Sequence, residues 1–354
     1  MRSIHLQVGA VLVGAALFAS AALHKASASS SVEVRLVTDE ADAVLAILAR
    51  RKANQLASDN EWQRLLASEG YVRLKKREAA MKRPYEDGEF RTFVLSETLA
   101  ARAGRLEETL AKWKLADMNR AVGRALAYLP KGTTIRAKIY PVIKPLQNSF
   151  VFEVDTDPAI FLYLDPDITE AQFENTLAHE LHHIGYGSSC PSKASSDALS
   201  RLAANSRNTL HWLGAFGEGF AMLAAAGGPE FHPHASSNGD DRARWDRDVA
   251  NFNEDLKKVE SFLLDVSNKR LSEEERDNKG YSFFGVQGPW YTVGWKMAVT
   301  IERVYGREVL IECMCDKRKL LSTYNEAALK HRRSSGEQLA LWSQSLVKGI
   351  KGGT

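Results

Sequence analysis

His179, Glu180 and His183 stand in the order H-E-x-x-H within Ala178-His-Glu-Leu-His-His-Ile-Gly185. On a helix, positions i and i+4 lie about 40° apart around the axis, so both imidazoles can reach one metal ion. Glu180 directly follows the first histidine, which sets a carboxylate beside the ion, where it can take a proton from water. The pattern is half of a zinc site with a general base attached, the signature of a metallohydrolase and above all of a peptidase. His182, three residues after His179, makes a poorer chelate. It reads as a flanking surface residue or as a hydrogen-bond donor behind the ligands.

A hydrolytic zinc site keeps three protein ligands and leaves one position for water. The run H-E-x-x-H-x-x-G-x-x-H would supply a third histidine, but Tyr186 and Ser189 occupy those places. A glutamate from a second helix is the alternative. Gly217-Glu-Gly-Phe-Ala-Met222 offers Glu218 among Gly214, Gly217, Gly219 and Ala221, small residues that let two backbones approach. A solvent-facing glutamate on an Ala-rich helix is the plainer reading of the same residue.

These elements must hold the motif in place. Thr169-Glu-Ala-Gln172 has the capping-box pattern of a helix start. Phe173, Leu177, Leu181 and Ile184 recur at helical spacing as one apolar stripe, with both histidines away from it. Gly185 and Gly187 read as the stop signal. Before this helix, runs at 134–142, 149–154 and 159–164 are rich in β-branched and aromatic residues and read as strands. A further short strand is expected at 32–37, followed by a helix to about Arg51. Residues 58–128 read as helical, with breaks near Gly70 and at 84–88. A helix over 195–226 is expected to carry Glu218 on its final turns. More helices follow, at about 240–266, at 290–305 and near the C-terminus. The expected fold is α+β, predominantly α-helical, with a mainly helical region at 29–132 and a metallopeptidase core at 133–354. Within that core lie the sheet (133–165), the metal helix (169–187), the third-ligand helix (195–226) and a helical C-terminal region (227–354).

His179-Glu-Leu-His-His183 followed by Glu218-Gly-Phe-Ala221 resembles the glutamate-ligand, thermolysin-like zincins (gluzincins). More narrowly, it is similar to a bacterial family of zinc-dependent peptidases with H-E-x-x-H-H and a later E-G-x-A. Glu69-Gly-Tyr71, Asn148-Ser-Phe-Val151 and Tyr291-Thr-Val-Gly-Trp-Lys-Met-Ala298 also look like that family. The resemblance implies a zincin-like fold and one zinc ion at His179, His183 and Glu218. It further implies Glu180 as base and a peptide or protein as substrate. In a zincin the edge strand of the sheet before the metal helix holds an extended substrate by main-chain hydrogen bonds.

The ends and the composition bound the rest. Arg2, the apolar run from Val8 to Leu23 and Ala26-Ser-Ala28 read as a secretory signal peptide over 1–28, so a secreted or periplasmic enzyme is expected. The apolar run is shorter than the roughly 20 residues of a spanning helix, so an uncleaved membrane anchor is the lesser alternative. Without residues 1–28 the formal charge falls from +3 to +1, which argues against nucleic acid as the main partner. In an oxidising compartment Cys190 could pair with Cys313 or Cys315, leaving one thiol over.

Hydrolysis also needs a donor for the developing oxyanion. Tyr291, at the start of a late helix, is the candidate, with Tyr281 second. His232 and His234, in Phe231-His-Pro-His234, could reach the cleft or simply be exposed. His211 would share the face of Glu218 only if their helix were continuous. Two rival functions are a catalytically inactive zincin-fold binding or scaffold protein, and a zinc aminopeptidase. The second lacks the G-x-M-x-N run of one major aminopeptidase group.

Overall fold

The computed structural model describes residues 32–84, 86–190 and 200–351. The expected signal peptide therefore lies outside the described residues. The fold is mostly helical with one small sheet, as the hydrophobic periods predict. Strand β1 (Val32–Leu36) leads into six helices: α1 (Asp39–Lys52), α2 (Asp59–Leu66), α3 (Glu69–Ala80), α4 (Asp87–Val94), α5 (Glu97–Leu115) and α6 (Asn119–Ala127). Ser58, Ser68 and Ser96 cap α2, α3 and α5 by accepting a backbone N–H three residues on. The break expected near Gly70 thus falls at Ser68. Gly70 lies inside α3, where a Cβ would come within 3.0 Å of the Glu40 side chain.

Strands β2 (Ile135–Val142), β3 (Phe150–Phe152) and β4 (Ala159–Tyr163) complete a sheet in the order β1-β2-β4-β3. β1 and β4 run parallel to β2, whereas β3 pairs antiparallel to β4 and forms an edge. The parallel β1–β2 pair needs a long crossover, and α1–α6 are that crossover. Helix α7 (Glu170–Ser189) follows the sheet and packs against α6 and the Gly217–Ala226 helix. Phe173, Leu177, Leu181 and Ile184, the predicted stripe, are all buried.

Two buried ionisable groups fix the segment that enters β3. Glu40 Oε2 accepts the Ile143 amide at 3.1 Å. Lys144 donates to the Leu146 carbonyl and to Asn148 Oδ1. Burial pushes the Glu40 carboxyl up to about 8, with Asp39 adding to the rise and the Ile143 amide and Lys144 opposing it. Above pH 4.5 the unfolded chain releases this proton, but the folded chain keeps it until about pH 8. The stability contributed below pH 4.5 is therefore lost as the pH climbs to about 8, by an amount on the order of 5 kcal/mol. Melting temperatures measured from pH 4.5 to 8.5 should fall, and Glu40→Gln should flatten that fall. A wild-type profile that is flat over this window would remove the assignment.

Candidate metal centre and active site

The two motif histidines leave α7 on the side away from its buried stripe, and Glu218 comes to meet them. His179 Nε2 and His183 Nε2 are 3.0 Å apart, and Glu218 Oε2 lies 3.2 Å from the first and 3.3 Å from the second. A tetrahedral ion with bonds of about 2.0–2.1 Å needs donor atoms about 3.3–3.4 Å apart. The three donors therefore fit one zinc ion, and among the described residues they are the only such cluster. All three side chains are mostly buried, the most exposed at 21%. Burial alone would raise the Glu218 carboxyl, but the charge of His183 and hydrogen bonds from both imidazoles hold it well below the usual range. It is an anion facing two imidazoles, the charge a divalent cation requires.

Local sequence explains these positions. Thr169 and Gln172 form the predicted capping box, with Thr169 N donating to Gln172 Oε1 at 2.8 Å. Gly185 and Gly187 do not end α7, which runs on to Ser189. They are sites of close approach: a Cβ at Gly185 would collide with Leu129, and one at Gly187 would lie 2.5 Å from Val154. The helix expected to carry Glu218 on its final turns is also interrupted. It comprises Ala204–Leu213, a 3-10 turn over Gly214–Phe216, and a separate helix over Gly217–Ala226. Glu218 consequently sits in a first turn.

The small residues around Glu218 do bring backbones together, but the partner is the Pro289–Tyr305 helix. A Cβ on Gly219 would meet the Trp295 amide and stand 2.5 Å from the Tyr291 carbonyl. This crossing brings Tyr291 to the site. Its ring stacks on His179 with centroids 6.4 Å apart. Burial, with the Glu218 charge and hydrogen bond, drives its phenol upward, so it stays protonated.

Glu180 is buried, and desolvation raises its carboxyl, opposed by His179 and His183. It shares a cleft of about 430 Å³ with His179 and Tyr291. His234, Gln287, Gln147 and Asn175 also line this cleft. His234 donates or accepts through Nδ1 at 2.9 Å from Ser237 Oγ. His232 instead pairs with Asp246 at 2.8 Å, away from the cleft. His182 is no surface residue: it is 1% exposed, and burial with the nearby histidine charges lowers its pKa to about 3. Its ring fills the packing behind the motif, so a polar residue on the stripe-flanking side of α7 is neutral core.

A second cavity, of about 360 Å³, is lined by His183 and Glu218 together with His211, Trp212, Tyr281 and Lys317. His211 does lie near Glu218, although the 3-10 turn separates their helices. Tyr281 is 62% exposed and packs edge-on against Trp212. Gln287, Gln147 and Lys317 carried no motif, and no spacing in the sequence marked them. Cys190, the C-terminal cap of α7, bonds to Cys315 across a Cα–Cα distance of 4.7 Å, and Cys313 is free and buried. The bridge ties the end of the histidine helix to the Arg307–Cys315 helix.

A mostly helical α+β fold thus brings two histidines and a glutamate to zinc-binding distance. The family model described as "Putative zinc dependent peptidase" matches residues 51–333, and the chain belongs to that family. It is a zinc metallopeptidase, with zinc as cofactor and peptides or proteins as its substrate class. No curated protein and no solved structure matches the chain.

Proposed function

We propose that this chain is a glutamate-ligand, zincin-like endo- or exopeptidase in which His179, His183 and Glu218 hold one zinc ion and Glu180 is the general base. The triangle of donor atoms, 3.0–3.3 Å on each side, is the observation that carries this reading. Bound there, zinc supplies a Lewis acid that polarises a carbonyl and acidifies water. Glu180 accepts a proton from the attacking water as its oxygen bonds to the carbonyl carbon. The C–N bond then breaks, and Glu180 returns the proton to the leaving nitrogen. The protonated Tyr291 hydroxyl donates to the developing oxyanion. Support for the substrate path comes from β3, an antiparallel edge strand whose outer side has no strand partner among the described residues. An extended peptide can add to that edge, with Gln147 at the cleft wall beside it.

The inactive scaffold reading has less support, because a pure scaffold has no use for a carboxylate buried beside an ion-binding triad. Secretion or a periplasmic location rests on Arg2, the apolar run and Ala26-Ser-Ala28. No described helix is long and apolar enough to cross a membrane. Casein hydrolysis that is lost on chelation and restored by zinc is the test. In the same assay Tyr291→Phe should lower kcat by about 10- to 100-fold with little change in KM. Full turnover by that variant would dispose of the tyrosine's role.

A further inference from the structure

The second cavity holds a cation that no described residue neutralises. Lys317 reaches inward from the first turn of the Lys317–Ser335 helix. Its Nζ lies where a side chain on Gly214 would stand, 2.6 Å from the position of an added Cβ, and 5.9 Å from the Tyr186 ring centroid. Among the described residues its amine has no hydrogen bond and no ion pair, and the influence acting on it is burial, which lowers its pKa. The one acid on the cavity wall is Glu218, already engaged by His179 and His183. His211, on the same wall, has its pKa lowered by burial and by the nearby Lys317 charge, so it adds no second positive charge there. Trp212, Tyr281 and Phe284 make the remainder largely apolar. A half-buried ammonium with no partner among the described residues is costly to keep, and a chain keeps one where a ligand completes the pair.

We propose that Lys317 receives a carboxylate of the peptide substrate in this cavity, beside the bond to be cleaved, so that the enzyme selects acidic peptides. The carboxylate is an Asp or Glu side chain or the substrate's own C-terminus. Both sources present the same anion to the same amine. The assignment rests on the reading of His179, His183 and Glu218 as the hydrolytic centre, because their shared wall is what places Lys317 next to the reaction. Gly214 belongs to the same device, since any side chain there would displace the amine.

The test uses peptides that differ only in Glu, Gln or Lys at each position around the cleaved bond, each with a free or an amidated C-terminus. The zinc-loaded full chain is compared with Lys317→Met and, should that fold poorly, Lys317→Gln. The expected wild-type result is a kcat/KM ratio of Glu over Gln peptides of about 10–100 at one position, falling to about 1 in either variant. A ratio that instead follows the free against the amidated terminus identifies the C-terminal carboxylate as the source. Melting temperature should stay level or rise in Lys317→Met, since an uncompensated charge has left the interior. Equal cleavage of Glu and Gln peptides with no effect of amidation overturns the proposal, as does a preference that survives both variants. Calorimetric binding of the same Glu and Gln peptides to Glu180→Gln, with and without Lys317→Met, separates the two readings. Failure of the hydrolytic reading abolishes cleavage of every peptide, whereas failure of the carboxylate pocket abolishes the Glu over Gln difference in binding.

Discussion

Glu180→Gln is expected to bind one zinc ion per chain, melt with the wild type and hydrolyse peptides about 10²–10⁴-fold more slowly. The amide is nearly isosteric with the carboxylate, so the cleft shared with His179 and Tyr291 keeps its shape. What is lost is basicity. Glu180 is buried, and its raised pKa makes it a stronger base than an exposed glutamate, while His179 and His183 oppose the rise. An amide has no such capacity, so neither the proton taken from water nor its delivery to the leaving nitrogen has a carrier. The effect should fall on kcat, with KM nearly unchanged, since the residue is required in the transition state more than in the bound complex. Metal content by plasma mass spectrometry beside steady-state kinetics makes the test. A variant that keeps wild-type turnover would sink the general-base assignment and leave the triad without its partner.

Glu218→Ala is expected to lower zinc content from about one ion per chain to a small fraction after dialysis, with activity falling in proportion. Two imidazoles on one helix form a weak chelate, and the third donor both closes the geometry and supplies the negative charge. The apo protein offers a second readout. With Glu218 removed, His183 loses the carboxylate that outweighs burial and raises its pKa to about 9. Its imidazole should then titrate at lower pH in NMR spectra of the metal-free chain. Full zinc occupancy in Glu218→Ala would show that the third ligand lies elsewhere, and the triangle at 3.0–3.3 Å would be a packing contact.

Much of the site is legible in the residues because its chemistry is local. His179, Glu180 and His183 lie within about one turn of one helix, and helical geometry alone dictates which of them share a face. The capping box at Thr169 and Gln172 is equally local and appears as expected. All four predicted strands form, since their β-branched and aromatic runs have few other ways to bury. Reading failed where a residue type has two physical uses. Gly185 and Gly187 look like a helix stop, yet they serve close packing against Leu129 and Val154. His182 looks like a surface residue of a polar motif, yet it is buried and neutral. Glu218 looked terminal on a long helix because its segment is apolar and Ala-rich throughout. A 3-10 turn at Gly214–Phe216 resets the helix instead and puts it at a start.

The family, the zinc chemistry and the mostly helical α+β class were legible in the residues, because those rest on short-range spacing and on side-chain type. Packing decided which tyrosine stacks on His179, which cysteine closes the bridge to Cys190 and which lysine, among the described residues, stands unpaired in the cavity beside Glu218. Each of those depends on a crossing between segments far apart in the chain: Gly219 against Tyr291 and Trp295, Cys190 against Cys315, Gly214 against Lys317. Such contacts follow from the packing of whole helices, and no local period encodes them.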